Sequence, residues 1–291
     1  MNAIIYYISF PFLWIVSRLP FWIFYILSDI LCFIVYRIVG YRKKIVRSNL
    51  RLAFPNYNKR KLLQIERKFY SHLCDVFIEV IKSMGMSKRE MLKRFNIKNI
   101  ETIMTIENQK RSFFIMCGHY GSWEWMMSLG YHTKNTTYGI YTPIRNQYFD
   151  NLIKKIRGRH NAYVIPQRMA TKNIKENEKQ NIRGAYGFAS DQSPRPKQLT
   201  YWRSFLGINV PVYTGAERLA RELNIPIVFV KIKRVKRGYY EAEFILLTDK
   251  PKSQPENAIT DKFTELLQEQ IREDPTQYFW THKRFKYMKK N

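Results

Sequence analysis

Cysteine is nearly absent from this sequence: Cys32, Cys74 and Cys117 are widely spaced, and no C-x-x-C pair exists. That speaks against a disulfide framework or a cysteine metal knuckle and fits a reducing compartment. Histidine is almost as scarce, with five residues, so each one stands out as a candidate for chemistry. Acidic residues are outnumbered, 23 Asp+Glu against 50 Lys+Arg, for a net charge of +27. An excess of that size holds a protein on an anionic partner, either nucleic acid or an acidic membrane surface. Internal repeats and low-complexity linkers are also missing. No basic stretch precedes the N-terminal apolar run and no small-residue cleavage pattern follows it, which argues against a removable signal peptide.

What is present begins with that apolar run. Residues 3–17 are apolar, Arg18 interrupts, and residues 19–36 are apolar except for Asp29. Arg42, Lys43, Lys44 and Arg47 follow at once. A run of about 18 or more apolar residues is a candidate span, and the basic flank marks the cytoplasmic side. Residues 1–40 are therefore expected to form an uncleaved membrane anchor, either one tilted span or an embedded hairpin. The competing reading is a buried helical pair of a soluble domain. With 45% apolar and 25% charged residues overall, the remainder reads as one globular catalytic domain, 41–291.

Along that domain, Leu62, Leu63, Ile65, Phe69, Leu73, Val76, Phe77, Val80 and Ile81 recur at helical spacing over 59–84. Short strands are expected at 113–117, 137–141, 162–165 and 186–190, with a later pair at 225–235 and 240–248 joined by Arg237-Gly238. Helical stretches lie around 124–128, 146–159, 169–180, 214–223 and 259–272. This alternation predicts an α/β fold with a mixed, mainly parallel sheet, an antiparallel edge and flanking helices.

The segment with most chemistry is 113–124, FFIMCGHYGSWE. A buried strand runs into Gly118 and His119, and a helical pattern starts near Trp123, the kind of strand end where open α/β sheets bind ligands. On one ideal helix, residues five apart point about 140° away from each other. With His119 on the preceding turn and Glu124 in the first helical turn, however, the carboxylate can reach the imidazole. It would then fix the tautomer and leave the other ring nitrogen to take a proton from a hydroxyl. Cys117 is the rival nucleophile. Its place in the apolar strand favours core packing, and its nearness in sequence to His119 does not align thiol and imidazole.

HYGSWE resembles the H-x-x-x-x-[DE] block of glycerolipid acyltransferases, specifically the late acyltransferases of lipid A biosynthesis. Further segments match that family in order: Arg18-Leu19-Pro20, NLRLAFP at 49–55, YTPIRNQYFD with a downstream Arg157 and Arg159, SDQSP at 190–194, SFLG at 204–207 with TGAERLA at 214–220, and DPTQYFWTHKRFK at 274–286. Departures are Tyr278 for a typical Trp, Leu206 in the FFG block, and Asn161 where the family often has Gly. They bear on acceptor or acyl-chain identity more than on the reaction.

The resemblance implies a glycerolipid acyltransferase-like fold and an acyltransferase with a His119/Glu124 dyad. Such an enzyme would need no metal, cofactor or covalent intermediate. An acyl carrier protein thioester, or acyl-CoA, would supply the acyl group as co-substrate, and a hydroxyl of a lipid A precursor would receive it. A lysophospholipid or a monoacyl amino-acid lipid is the alternative acceptor. The location implied is the inner membrane, with the domain on the cytoplasmic face.

The remaining candidates each have a plain physical reading beside the functional one. Arg145 and Asn146 open a helix after a strand, where a phosphate could be held, or where Arg145 is simply solvated. Arg157 and Arg159 could offset a helix dipole; by resemblance an Arg here lies near the pair and binds the oxyanion or a phosphate. Asp191-Gln192 is a common turn former, placed beside the site by resemblance. His282 reads as packing or interfacial. The basic surface suits an acidic carrier protein and an anionic lipid. Nucleic-acid binding is the compositional rival, but the cations are spread along the chain and no recognised binding motif appears, so no nucleic acid is expected. A catalytically dead membrane scaffold is disfavoured by the intact His119 and Glu124.

Overall fold

The computed structural model describes residues 2–196 and 199–289. The chain opens with helix α1 (Asn2–Arg18) and helix α2 (Phe21–Phe33), the latter continued by a π-helical turn over Ile34–Ile38. Pro20 separates the two, with its fixed φ of −55° starting α2. Helices α3 (Lys43–Ala53), α4 (Lys59–Lys82) and α5 (Lys88–Arg94) lead to strand β1 (Phe95–Ile97) and helix α6 (Glu101–Asn108). Strand β2 (Phe113–Cys117) then runs into a 3₁₀ helix, Trp123–Tyr131. The α/β repeats follow: β3 (Thr136–Tyr141), α7 (Gln147–Gly158), β4 (Ala162–Pro166), α8 (Ala170–Lys179) and β5 (Gly184–Ala189). A hairpin of β6 (Trp202–Phe205) and β7 (Ile208–Pro211) precedes α9 (Gly215–Leu223), β8 (Ile227–Lys236), β9 (Tyr239–Thr248) and α10 (Ala258–Glu273).

Seven strands form one sheet in the order β1-β9-β8-β2-β5-β3-β4. All neighbours are parallel except β8 and β9, which pair antiparallel through the Arg237-Gly238 turn. This is the expected α/β sheet with its antiparallel element toward one edge. β2 lies between β5 and β8, and Phe113, Phe114, Ile115 and Met116 are all buried, as an unbroken apolar run requires when both faces of a parallel sheet are covered. The β6–β7 hairpin turns through Leu206 and Gly207, with φ of 53° and 84°, a left-handed pair that suits a two-residue turn. Leu206 is an unusual residue for that conformation; its burial, and a bond from its amide to Gln268 Oε1 at 2.7 Å, hold it there.

α2 with its π turn, Phe21–Ile38, is the one described helix long and apolar enough to cross a membrane. Its two sides differ. Phe24, Ser28 and Tyr36 are buried, whereas Trp22, Ile26, Ile30 and Phe33 are exposed. The inner side joins Val16 and Ile78 in an apolar cluster. α1 packs Tyr6, Phe10 and Leu13 against Met84, Leu152 and Ile156. Polar bonds fasten both helices to α4: Ser28 Oγ donates to Asp75 at 2.7 Å, and Lys82 Nζ donates to the carbonyls of Ser17 and Leu19.

Candidate active site

The register of the sheet brings the site together. β2 and β5 pair in parallel with Cys117 opposite Ala189, and Ser190 N–H donates to the Cys117 carbonyl at 3.1 Å. His119 and Asp191 each lie two residues beyond that last pair, so both emerge side by side at the carboxyl edge of the sheet. His119 Nδ1 donates to Asp191 Oδ1 at 2.7 Å; the imidazole side chain is 22% exposed and the carboxylate 1%. Burial pulls the His119 pKa down, but the charge of Asp191, its hydrogen bond and the charge of Glu124 outweigh it, and the net shift is upward. Burial likewise opposes ionisation of Asp191, and His119 more than compensates, leaving its carboxyl below the usual value.

Glu124 is not the partner of His119. Its carboxylate accepts a forked pair of bonds from Arg157, Nη2 to Oε1 at 2.7 Å and Nε to Oε2 at 3.1 Å. The expected His119–Glu124 contact is therefore replaced by two pairs, His119–Asp191 and Arg157–Glu124. The guanidinium matches a carboxylate in bidentate geometry, which a single imidazole nitrogen cannot. Glu124 still acts on His119 through its charge.

The other candidates divide. Gln192 lies against the imidazole, its amide nitrogen 3.4 Å from each ring nitrogen. Asn146 caps α7, accepting from the Tyr148 amide at 3.0 Å, and Arg145 is exposed on the loop before it. Arg159 is exposed and reaches the Met86 carbonyl at 3.4 Å, away from Glu124. His282 accepts from the Ser193 amide at 3.1 Å, and burial pushes its pKa down to about 4, so it is a neutral packing residue. Cys117 is pushed up to about 12, by burial first and then by the charges of Asp191 and Glu124, so its thiol stays protonated.

Sequence reasoning did not foresee how the C-terminal block serves the site. Tyr278 bridges Tyr120, Phe279 N–H donates to the His119 carbonyl at 3.0 Å, and Gly121 N–H donates to the Gln277 carbonyl at 3.2 Å. The ring of Phe279 lies 5.9 Å from the imidazole and 5.5 Å from Trp123. Asn49 in turn donates to the carbonyls of Trp280 and His282 at 2.8 and 2.7 Å. The NLRLAFP and C-terminal blocks thus meet and brace the turn holding His119. Within that turn Gly121 has φ of 58°, and a Cβ there would lie 2.7 Å from Ile232 Cγ2. Gly121→Ala is expected to cost about 1–3 kcal/mol in unfolding free energy and to lower activity; an unchanged Tm and rate would show that the turn relaxes freely. Asn161, where the resembled family often has glycine, has φ of 55°, a conformation asparagine tolerates better than most residues.

The His119–Asp191 pair thus stands at the carboxyl edge of a largely parallel α/β sheet, in a chain whose first two helices expose many apolar side chains. A model of the bacterial lipid A biosynthesis acyltransferase family matches residues 1–287, and the chain belongs to that family. It is 23% identical over 295 residues to the lipid A biosynthesis palmitoleoyltransferase of Escherichia coli (strain K12), covering 94% of this chain and 88% of that protein. It is 24% identical over 278 residues to the lipid A biosynthesis lauroyltransferase of the same strain, covering 94% and 89%. A lipid A biosynthesis acyltransferase of Shigella flexneri matches at 23% identity over the same shares as the palmitoleoyltransferase.

Proposed function

We propose that this enzyme transfers a fatty acyl group from an acyl carrier protein thioester to a hydroxyl of a lipid A precursor, with His119 as general base. The observation that carries this reading is the 2.7 Å bond from His119 Nδ1 to buried Asp191. It commits one ring nitrogen to the carboxylate and leaves Nε2 to accept the hydroxyl proton. The acceptor oxygen attacks the thioester carbonyl, a new ester forms, the C–S bond breaks, and the departing thiolate takes back the proton from His119. A thiolate leaves readily, so the mechanism invokes neither an enzyme-bound acyl group nor a metal.

Glu124 serves in two ways, adding negative charge beside the imidazole and holding Arg157. Arg157 uses Nε and Nη2 on Glu124, so its remaining edge is available to the thioester oxyanion or an acceptor phosphate. Gln192 borders the reacting atoms, and Arg145 on the rim meets the headgroup. Asn146 caps α7 and Arg159 reaches the Met86 carbonyl. Residues 1–40 attach the enzyme to the inner membrane, and residues 41–291 work on its cytoplasmic face, where the strong cationic excess of the chain, +27 in all, suits an acidic carrier protein and an anionic lipid.

The test is to incubate the purified full-length protein with radiolabelled acyl carrier thioester and a panel of acceptors. Label on a lipid A precursor is expected; label on a lysophospholipid alone would reassign the acceptor. The bare apolar faces of α1 and α2 should hold the enzyme in the membrane pellet through a high-salt wash, because apolar burial is not weakened by added salt. Release by salt would mean that surface charge alone attaches it.

A further inference from the structure

Glu79 on α4 is fully buried and distant in sequence from every catalytic candidate, yet it touches three elements at once. Oε1 accepts from the Tyr25 hydroxyl of α2 at 2.8 Å, and Oε2 accepts from Ser122 Oγ at 3.1 Å. The Tyr240 hydroxyl of β9 donates to the same carboxylate, at 3.1 and 3.2 Å to its two oxygens. Ser122 is itself fully buried. It stands three residues after His119 and two before Glu124, directly ahead of the 3₁₀ helix that carries Glu124. The Glu79 main chain joins in, its carbonyl accepting from Trp125 Nε1 at 3.4 Å.

We propose that Glu79 is a positioning residue that couples the seating of apolar helix α2 to the placement of the turn bearing His119. The proposal rests on the reading of His119 as the base. One short carboxylate links a hydroxyl on the apolar helix α2 to a hydroxyl in the turn that bears His119. Three hydroxyl donors converge on two oxygens, a load that a carboxylate accepts and a carboxamide, with a single acceptor oxygen, does not. Burial, reinforced by Asp75 one turn earlier, pushes the Glu79 carboxyl up to about 7, so the donors also serve to keep it ionised. When α2 shifts, Tyr25 pulls on Glu79, and Ser122 moves with it. A catalytic hydrogen bond misplaced by a fraction of an ångström is enough to slow the reaction.

The experiment is a double-mutant cycle on the full-length enzyme between Tyr25→Phe and Ser122→Ala, two residues that both bond Glu79. Transfer by wild type and its loss in His119→Ala are established first; failure there refutes the general-base reading, not the coupling. Each single variant is expected to lose about threefold to tenfold in kcat, the size of one hydrogen bond, with KM unchanged. The double variant should lose clearly less than the product, and in a Glu79→Gln background the two effects should become additive. Ser28→Ala, which sits on α2 but bonds Asp75, should combine additively with Ser122→Ala. Independently of activity, Tyr25→Phe should speed amide hydrogen exchange of the 119–125 peptide. Multiplicative losses in kcat, or wild-type exchange in that peptide, would overturn the coupling.

Discussion

Replacing His119 by alanine is expected to lower kcat by about 10²–10⁴, the usual value of a positioned general base, with membrane attachment unchanged and Tm lowered because buried Asp191 loses its partner. Asp191→Asn should cause a comparable loss, because an amide no longer secures the tautomer that leaves Nε2 unprotonated. The double variant should be hardly worse than either single one, since two groups acting as a unit lose their function once. Measured kcat values that multiply would show that Asp191 acts independently of His119. Retention of activity in His119→Ala would remove the imidazole from the mechanism. Cys117→Ser should keep most of the rate, and a trapped acyl-cysteine would replace direct transfer with a covalent route.

The same pair fixes the pH dependence. In the proposed mechanism His119 is the base, so its neutral form is the active one, and its pKa is raised by Asp191 and Glu124 against the effect of burial. The acid limb of the kcat profile should therefore lie above the ordinary histidine value of about 6.5. Asp191→Asn removes the nearer charge and should move that limb to lower pH. Stability runs the other way. A folded pKa above the unfolded one contributes stability that is fully present below about 6.5 and is lost as pH rises through the raised value. The fold thus favours the imidazolium that the reaction must discharge.

Which parts of this were legible in the sequence follows from how local their causes are. β2 could be placed because a strand buried on both faces must be a continuous apolar run, and β8 because its first half, Ile227 to Val230, is one too. β1, with three residues, and β6–β7, set by the left-handed pair Leu206-Gly207, carry too little pattern to be seen. The His119–Glu124 contact was inferred from spacing along the chain, and it failed because a partner 33 residues away, Arg157, satisfies Glu124 better. Asp191 was placed beside the site only by resemblance. Its bond to His119 spans 72 residues and exists because Cys117 pairs with Ala189, a register that no local pattern encodes. Glu79 gave no signal at all, being one acidic residue in an amphipathic helix.

Arg237→Ala is expected to destabilise the enzyme by about 3–5 kcal/mol, the cost of leaving a buried carboxylate without its cation. Arg237 sits in the turn between β8 and β9 and donates Nη2 to Asp75 Oδ1 at 2.7 Å and Nε to Asp75 Oδ2 at 3.0 Å. The same guanidinium holds Asp29 of α2, Nη2 to Oδ1 at 2.6 Å. Asp75 is 1% exposed and Asp29 58%, so the two bonds differ in weight. Losing the Asp29 contact alone should cost under about 1 kcal/mol, as an exposed pair does. Losing Arg237 leaves Asp75 with the Ser28 hydroxyl and with Arg234 at 4.0 Å. Thermal unfolding in detergent should show a Tm lowered by roughly 6–20 °C for Arg237→Ala and by far less for Asp29→Asn. Adding Asp75→Asn to Arg237→Ala removes the stranded charge and should recover a large part of the loss. If Arg237→Ala unfolds within about 1 kcal/mol of wild type, apolar packing around Phe24 and the Ser28 and Tyr25 hydrogen bonds seat α2, and the buried ion pair contributes no more than a surface one.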